Sequence, residues 1–232
     1  MAFDLSNPDR TIQVGVILFD SETEILDVAP VDLLMGLTKP FISALPIPNS
    51  MKAQGLDVEF HWVNETGETA KLTSGITMQC TDSFESCPTL DIVLMGAHTP
   101  GYNPKESELA FIRKAYGSCS AFLFICGAFD AALRAGLLEG KTATAPRMLL
   151  GKLRQGAAGT NWVERRWARD GKMWTSGTLL NGLDMMSAFA RETWTDKKEM
   201  VDVVLGVGGW PVRDVDYKDE PDVLSGREVS WW

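Results

Sequence analysis

The sequence predicts an α/β protein with a mostly parallel central sheet and helices on both faces. Short apolar runs with little polar alternation recur at residues 11–19, 91–95 and 121–125, the pattern of strands buried on both sides. Between them lie stretches of helical spacing, such as 105–118, where Leu109, Ile112 and Ala115 share one face. Strands that alternate with helices imply parallel pairing through crossover connections.

Each element follows in order. A polar arm, residues 1–10, leads into the first strand at 11–19. Residues 20–24 form a turn, and 31–37 a helix opening after Pro30. Pro40, Pro46 and Pro48 place a surface loop, with room for a short helical piece, at 39–52. The alternation of 58–63 (VEFHWV) predicts a strand, and 76–79 a shorter one behind Gly75. The strand at 91–95, the helix at 105–118 and the strand at 121–125 come next, then a helix closing at Ala135-Gly136-Leu137-Leu138. Residues 142–144 read as a short strand and 148–154 as a helix. Residues 162–170 and 173–175 read as strands about the Asp170-Gly171 turn, and 183–193 as a helix.

The chain thus divides into an arm at 1–10, an α/β domain at 11–194 and a C-terminal tail at 195–232. The tail mixes charge with Gly206, Gly208, Gly209 and Pro211. Its final residues, Trp231 and Trp232, would each expose a large apolar area in water. They are expected to pack on their own domain or on a second subunit.

Composition removes several classes of function. With 232 residues and 45% hydrophobic content there is enough material for one well-buried core. A net charge of -9 leaves no uniformly basic surface, so no nucleic-acid partner is expected. No apolar run approaches the roughly 20 residues that span a bilayer, so no membrane association is expected either. Cys80, Cys87, Cys119 and Cys126 form no C-x-x-C pair, and only His61 and His98 could join them, so no metal site is expected. The polar N-terminus carries no secretory signal, and reduced thiols fit a cytoplasmic protein.

The most informative residue is Cys126. The apolar run Ala121-Phe122-Leu123-Phe124-Ile125 stops at this cysteine, and the small residues Gly127 and Ala128 open a helix. A sharp strand-to-helix corner presents its residue to ligand and aims helix N-terminal amides at it. Such a corner is expected to favour the thiolate and so make a nucleophile. Ligands of parallel sheets bind beyond the carboxyl ends of the strands. Two other strand ends carry chemistry, Asp27 after the first and Gly96-Ala97-His98 after the strand at 91–95. A carboxyl can share a proton with the thiol. The turn amides around Gly96 and Ala97, together with Gly127, can stabilise an oxyanion. Asp27 could equally cap the helix near Pro30. His61, inside an alternating strand, and the other three cysteines read as structural.

These segments resemble the ThiJ/PfpI members of the class I glutamine amidotransferase-like superfamily over about 14–192. The markers are Phe19-Asp20, Leu26-Asp27-Val28-Ala29-Pro30-Val31-Asp32, Asp91 to Ala97, and Ile125-Cys126-Gly127-Ala128. They continue through Ala135-Gly136-Leu137-Leu138-Glu139-Gly140-Lys141-Thr142-Ala143-Thr144, then Asp170-Gly171, Thr175-Ser176-Gly177 and Gly182-Leu183-Asp184. The resemblance implies a flavodoxin-like three-layer sandwich, a homodimer and no cofactor. Aspartate rather than glutamate at position 27 is similar to the isocyanide hydratase branch. That likeness implies that Cys126 attacks an electrophilic carbon of a small-molecule substrate while Asp27 manages the proton. Gly182 and Asp184 resemble a family segment that helps build the site floor, and helix capping explains them equally well.

The departures are as specific as the matches. Gly127 stands where the family commonly has threonine, and Pro146 where many members have histidine. The family's paired glycines near the oxyanion site read Gly96-Ala97-His98 here, and His98 is a candidate to take over acid/base work from a new direction. The first expectation is therefore a hydratase-like lyase using Cys126 and Asp27. A biosynthetic lyase or isomerase on a larger hydrophobic metabolite, working through Asp27 and His98, is the alternative. A cysteine-based redox sensor or stress-protective protein without turnover is the non-enzymatic one.

Overall fold

A computed structural model describes residues 3–219; Trp231 and Trp232 lie outside the described residues. Its main sheet has the strands β1 (Ile12–Ile17), β2 (Val58–Asn64), β3 (Asp82–Ser83), β4 (Ile92–Met95), β5 (Ala121–Phe124), β6 (Trp167–Asp170) and β7 (Met173–Ser176), in the order β6-β7-β5-β4-β1-β2-β3. Every pairing is parallel except the β6–β7 hairpin at one edge. Gly171 turns that hairpin with φ of 62°, a left-handed geometry open to glycine.

Alternation along the central strands splits the interior into two layers. Leu123 and Ile125 point to one face with Val14, Val16 and Leu94. Phe122 and Phe124 point to the other with Val93 and Met95. The helices α1 (Asp32–Gly36), α5 (Asn181–Thr193) and α6 (Lys198–Gly208) cover the first face. The second lies beneath α2 (Glu106–Ser118), α3 (Phe129–Arg134) and α4 (Arg147–Gly156). This is the expected flavodoxin-like three-layer α/β sandwich. No helix among the described residues is long and apolar enough to cross a membrane.

Several elements differ from expectation for identifiable reasons. Helical structure begins at Ile25, ahead of Pro30, because the proline sits near the start of a one-turn 3-10 segment, Ala29–Val31, where its missing N–H costs nothing. The proline-rich stretch 39–52 holds two short helices, Lys39–Ala44 and Asn49–Lys52. A strand at Thr69–Leu72, absent from the sequence reading, pairs with Ile76–Gln79 and with Glu22–Thr23. This small sheet anchors the chain just before Asp27. The single strand expected over 162–170 is broken: Asn161–Trp162 pairs with Thr142–Ala143, and β6 starts afresh at Trp167. Between them the buried Arg166 gives its main-chain N–H to the Val215 carbonyl and its Nε to the Asp214 carbonyl. The chain leaves the sheet there to receive the segment that follows α6.

Residues 195–208 add structure to the same body. Helix α6 sends Met200, Val201, Val204 and Leu205 into the first layer. Trp194, fully buried between α5 and α6, donates its Nε1–H to the Leu5 carbonyl at 2.8 Å and packs edge-on against Phe189. One indole therefore joins the arm, α5 and α6. Trp194→Ala should cost about 3–5 kcal/mol by cavity formation, read as a lowered denaturant midpoint; an unchanged midpoint would show that the joint carries little stability.

Candidate active site

The elbow at Cys126 is built by the sheet. Ile125 continues β5 and donates its N–H to the Met95 carbonyl at 2.9 Å. The next residue must turn at once into the 3-10 segment Cys126–Ala128 that leads to α3, and Cys126 does so with φ of 56°. A left-handed conformation at a non-glycine residue costs about 1–3 kcal/mol and persists only where the surroundings enforce it. Cys126 is partly exposed, whereas Cys80, Cys87 and Cys119 are buried.

Asp27 reaches the elbow from the facing strand end. It lies on the helical turn Ile25–Val28, with no solvent exposure. Its Oδ2 accepts the Ala97 N–H at 2.8 Å, and its buried Oδ1 has no hydrogen-bond partner among the described residues. It does not cap a helix. Gly96 permits this approach, since a Cβ there would stand 2.7 Å from the Asp27 Cβ and 2.9 Å from the Thr23 Cγ2. Glu24, three residues before Asp27 on the same turn, completes a triad. One carboxylate oxygen from each acid and the Cys126 Sγ all lie within 4.8 Å of one another.

The electrostatics of this triad favour protonated forms. Burial raises the Asp27 carboxyl to about 7, opposed by the Ala97 N–H and aided by the charge of Glu24. Partial burial raises Glu24 as well. Burial, then the charge of Asp27, pushes the Cys126 thiol up to about 12 against the amides of Gly127 and Leu179. Burial and the charge of Asp27 thus work against the dipole-stabilised thiolate expected from the sequence. Helix α3 has only six residues, while two carboxyls stand in contact range. The three donor atoms have the spacing of a cation site, but metal ligands must be deprotonated, and each of these groups is held toward its proton.

The other expected site residues are distributed differently. The Ala97 amide serves the Asp27 carboxyl instead of an oxyanion, and Gly96 serves close packing. His98 is buried with its Nε2 3.2 Å from Asp130 Oδ2 and its Nδ1 3.1 Å from the Thr99 carbonyl. Its ring packs edge-on against Phe19. It therefore belongs to the α3 side of the strand end and stands outside the Glu24–Asp27–Cys126 triad. Gly182 lets α5 close on the elbow, since a Cβ there would meet Ile125 Cγ2 at 2.9 Å and Pro30 Cγ at 3.2 Å. Pro146 is the residue from which α4 starts. His61 bonds Asp82 and Gln13, as a structural histidine would. An apolar groove of about 590 Å³ runs beside the Asp27 turn, lined by Ile25, Val28, Trp62 and Trp210 among others; neither Cys126 nor Asp27 lines it.

Two members of the site were not singled out in the sequence. The i, i+3 spacing of Glu24 and Asp27 on a helical turn could have found the first. Leu179 contributes a main-chain amide, which no side-chain pattern announces.

The Asp27 geometry predicts a pH dependence. The folded protein holds this proton more tightly than the unfolded chain, so its effect on stability is fully present below the ordinary 3.8 and is lost as pH rises through about 7. Wild type should lose up to about 4 kcal/mol across that window relative to Asp27→Asn. Parallel denaturant titrations of the two proteins check it; a constant difference would place the Asp27 proton elsewhere.

Comparison with known proteins places these features in a family. The chain is 28% identical over 225 residues to the isonitrile hydratase of Pseudomonas putida, covering 94% of this chain and 87% of that protein. A ThiJ/PfpI family protein from Pseudomonas syringae superposes with a TM-score of 0.69 at 16% identity, over 94% of this chain and 80% of that one. Drosophila melanogaster DJ-1beta superposes with a TM-score of 0.66, also at 16% identity, over 87% of this chain and all of that one. An AraC family transcriptional regulator from Pseudomonas putida shares the fold as well, with a TM-score of 0.63 at 15% identity, over 84% of this chain and 99% of that one. Residues 43–192 match the DJ-1/PfpI family, and the chain belongs to it.

Proposed function

We propose that this protein is a cofactor-independent hydratase that adds water to the terminal carbon of an organic isocyanide and releases the N-substituted formamide. The observation that carries this reading is the buried Asp27 carboxyl, one oxygen tied to Ala97 and the other unpartnered, beside a strained, accessible thiol. A thiol that rests protonated needs a base at hand, and a carboxyl near 7 can both accept and return a proton at neutral pH.

The steps balance through these two groups. The Sγ–H proton passes to Asp27 as sulfur bonds the isocyanide carbon, and Asp27 then delivers that proton to the same carbon, leaving a thioformimidate on Cys126. Water adds to this carbon while its proton goes, through Asp27, to the substrate nitrogen. The C–S bond then breaks, the hydroxyl proton returns to sulfur, and the formamide leaves. Glu24, half-exposed and within reach of both partners, exchanges the Asp27 proton with solvent.

Two observations favour this reading over its alternatives. A peroxide-sensing cysteine needs a readily formed thiolate, and here burial and Asp27 work against one. An isomerase that pairs Asp27 with His98 needs the imidazole in the same cluster, and the His98 nitrogens bond Asp130 and Thr99. The expected homodimer remains part of this proposal. Ile25, Leu26 and Leu180 are 38%, 41% and 47% exposed, each adjacent in sequence to a site residue, and a second copy would cover them.

A panel of alkyl and aryl isocyanides, assayed for formamide by mass spectrometry, tests the reaction. Cys126→Ala should abolish turnover with the fold intact, and Asp27→Asn should lower kcat by roughly 10²–10⁴-fold. Formamide production that survives in Cys126→Ala would sink the covalent route, and no turnover of any isocyanide by wild type would sink the activity. Light scattering should give twice the chain mass; a monomeric mass at micromolar concentration would remove the dimer.

A further inference from the structure

We propose that His98 is a positioning residue, a strut bonded to Asp130 that holds the Ala97 N–H on the Asp27 carboxyl. His98 moves no proton in the reaction above, yet its ring is buried with both nitrogens engaged.

The loop that leaves β4 runs between the two halves of the site. On one side, Ala97 donates its N–H to Asp27 Oδ2 at 2.8 Å. Thr99 is tied to the segment just before Asp27: its N–H reaches Ser21 Oγ at 3.1 Å, and its hydroxyl donates to the Glu22 carbonyl at 3.3 Å. On the other side, His98 Nε2 stands 3.2 Å from Asp130 Oδ2. Asp130 lies in the first turn of α3, the helix into which the Cys126 elbow leads. A path of contacts thus runs from the acid, through Ala97 and His98, to the helix that follows the thiol.

The strut is held along its length. His98 Nδ1 lies 3.1 Å from the Thr99 carbonyl, which also accepts the Tyr102 N–H at 3.0 Å. The imidazole packs edge-on against Phe19, with centroids 5.4 Å apart, and lies 5.5 Å from the Tyr102 ring. Asp130 Oδ2 also accepts from Arg134 Nε at 2.7 Å, and Arg134 Nη1 donates to Asn103 Oδ1 at 3.0 Å. Helix α3 therefore grips the loop at two places, through Asp130 and through Arg134. Gly96 brings no side chain to this loop and Ala97 only a methyl group. His98 is the first residue beyond β4 whose side chain can fix the direction of the Ala97 amide.

The consequence falls on the acid. The Ala97 N–H is the one donor on the Asp27 carboxyl among the described residues. Without the imidazole the loop is no longer pinned to α3, and the amide is free to turn away. A carboxylate that loses its donor holds a proton more tightly.

Residue-resolved amide hydrogen exchange by NMR tests the strut, comparing wild type, His98→Ala and His98→Gln. The Ala97 N–H is read against the Ile125 N–H, which is bonded to the Met95 carbonyl at the same strand end. His98→Ala should speed Ala97 exchange by about ten- to hundredfold relative to Ile125. The Asp27 titration midpoint, followed by carbon-13 NMR of its carboxyl and assigned with Asp27→Asn, should rise above about 7. His98→Gln, whose amide can still donate to Asp130, should recover most of both effects. An Ala97-to-Ile125 ratio equal to that of wild type in His98→Ala would overturn the proposal whatever happens to stability, because a merely structural histidine loosens both amides together. A His98→Gln variant no better than His98→Ala would remove Asp130 from the strut. If His98→Ala does not fold, His98→Leu, which fills the space without the bonds, decides by the same ratio. These readouts need no substrate, although the strut's meaning for catalysis rests on the hydratase reading. The expected exchange without turnover of any isocyanide would leave the strut standing and sink the reaction.

Discussion

A carboxyl group taken out of water costs several kcal/mol unless it is neutral or bonded, and Asp27 sits fully buried with one amide donor. The contact from Ala97 is the point on which the site turns. It joins the end of β4 to the helical turn after β1, so two neighbouring parallel strands deliver an acid and its partner to one place. Gly96 has no side chain because Asp27 occupies the space. Among the described residues the second oxygen has no hydrogen-bond partner, and the carboxyl stands beside the thiol and Glu24.

The elbow depends on that arrangement electrostatically and on the sheet mechanically. The strained φ of Cys126 is enforced by a strand end bonded to β4 on one side and by apolar layers on both faces. Placing two acids beside the sulfur opposes thiolate formation, which suits a group that gives its proton away during the reaction and recovers it at the end. The same placement suits poorly a residue that must be permanently ionised. Proton transfer within a short-range pair is the common theme of the site.

Much of the frame was legible in one dimension. Buried parallel strands have an apolar signature that does not depend on their neighbours, so β1, β4 and β5 stand out, as does the corner at Cys126. Period-2 alternation likewise exposed β2. The short strand Thr69–Leu72 and the break before Trp167 were not legible, because both are decided by partners distant in sequence: the Ile76–Gln79 strand in one case, and the main chain of Asp214 and Val215 in the other.

For the site, the sequence by itself determined which side chains can do chemistry, Cys126 and Asp27, because a thiol at a strand-to-helix corner and an acid after a strand end are local features. Only the tertiary structure decided their protonation and their company. Burial and through-space charge raise the carboxyl and the thiol, and these depend on packing, not on residue type. Packing also turned His98 toward Asp130 and brought in Glu24 and the Leu179 amide. The elbow could be read from its residues, but the state of its sulfur is set by what the fold places within a few ångströms of it.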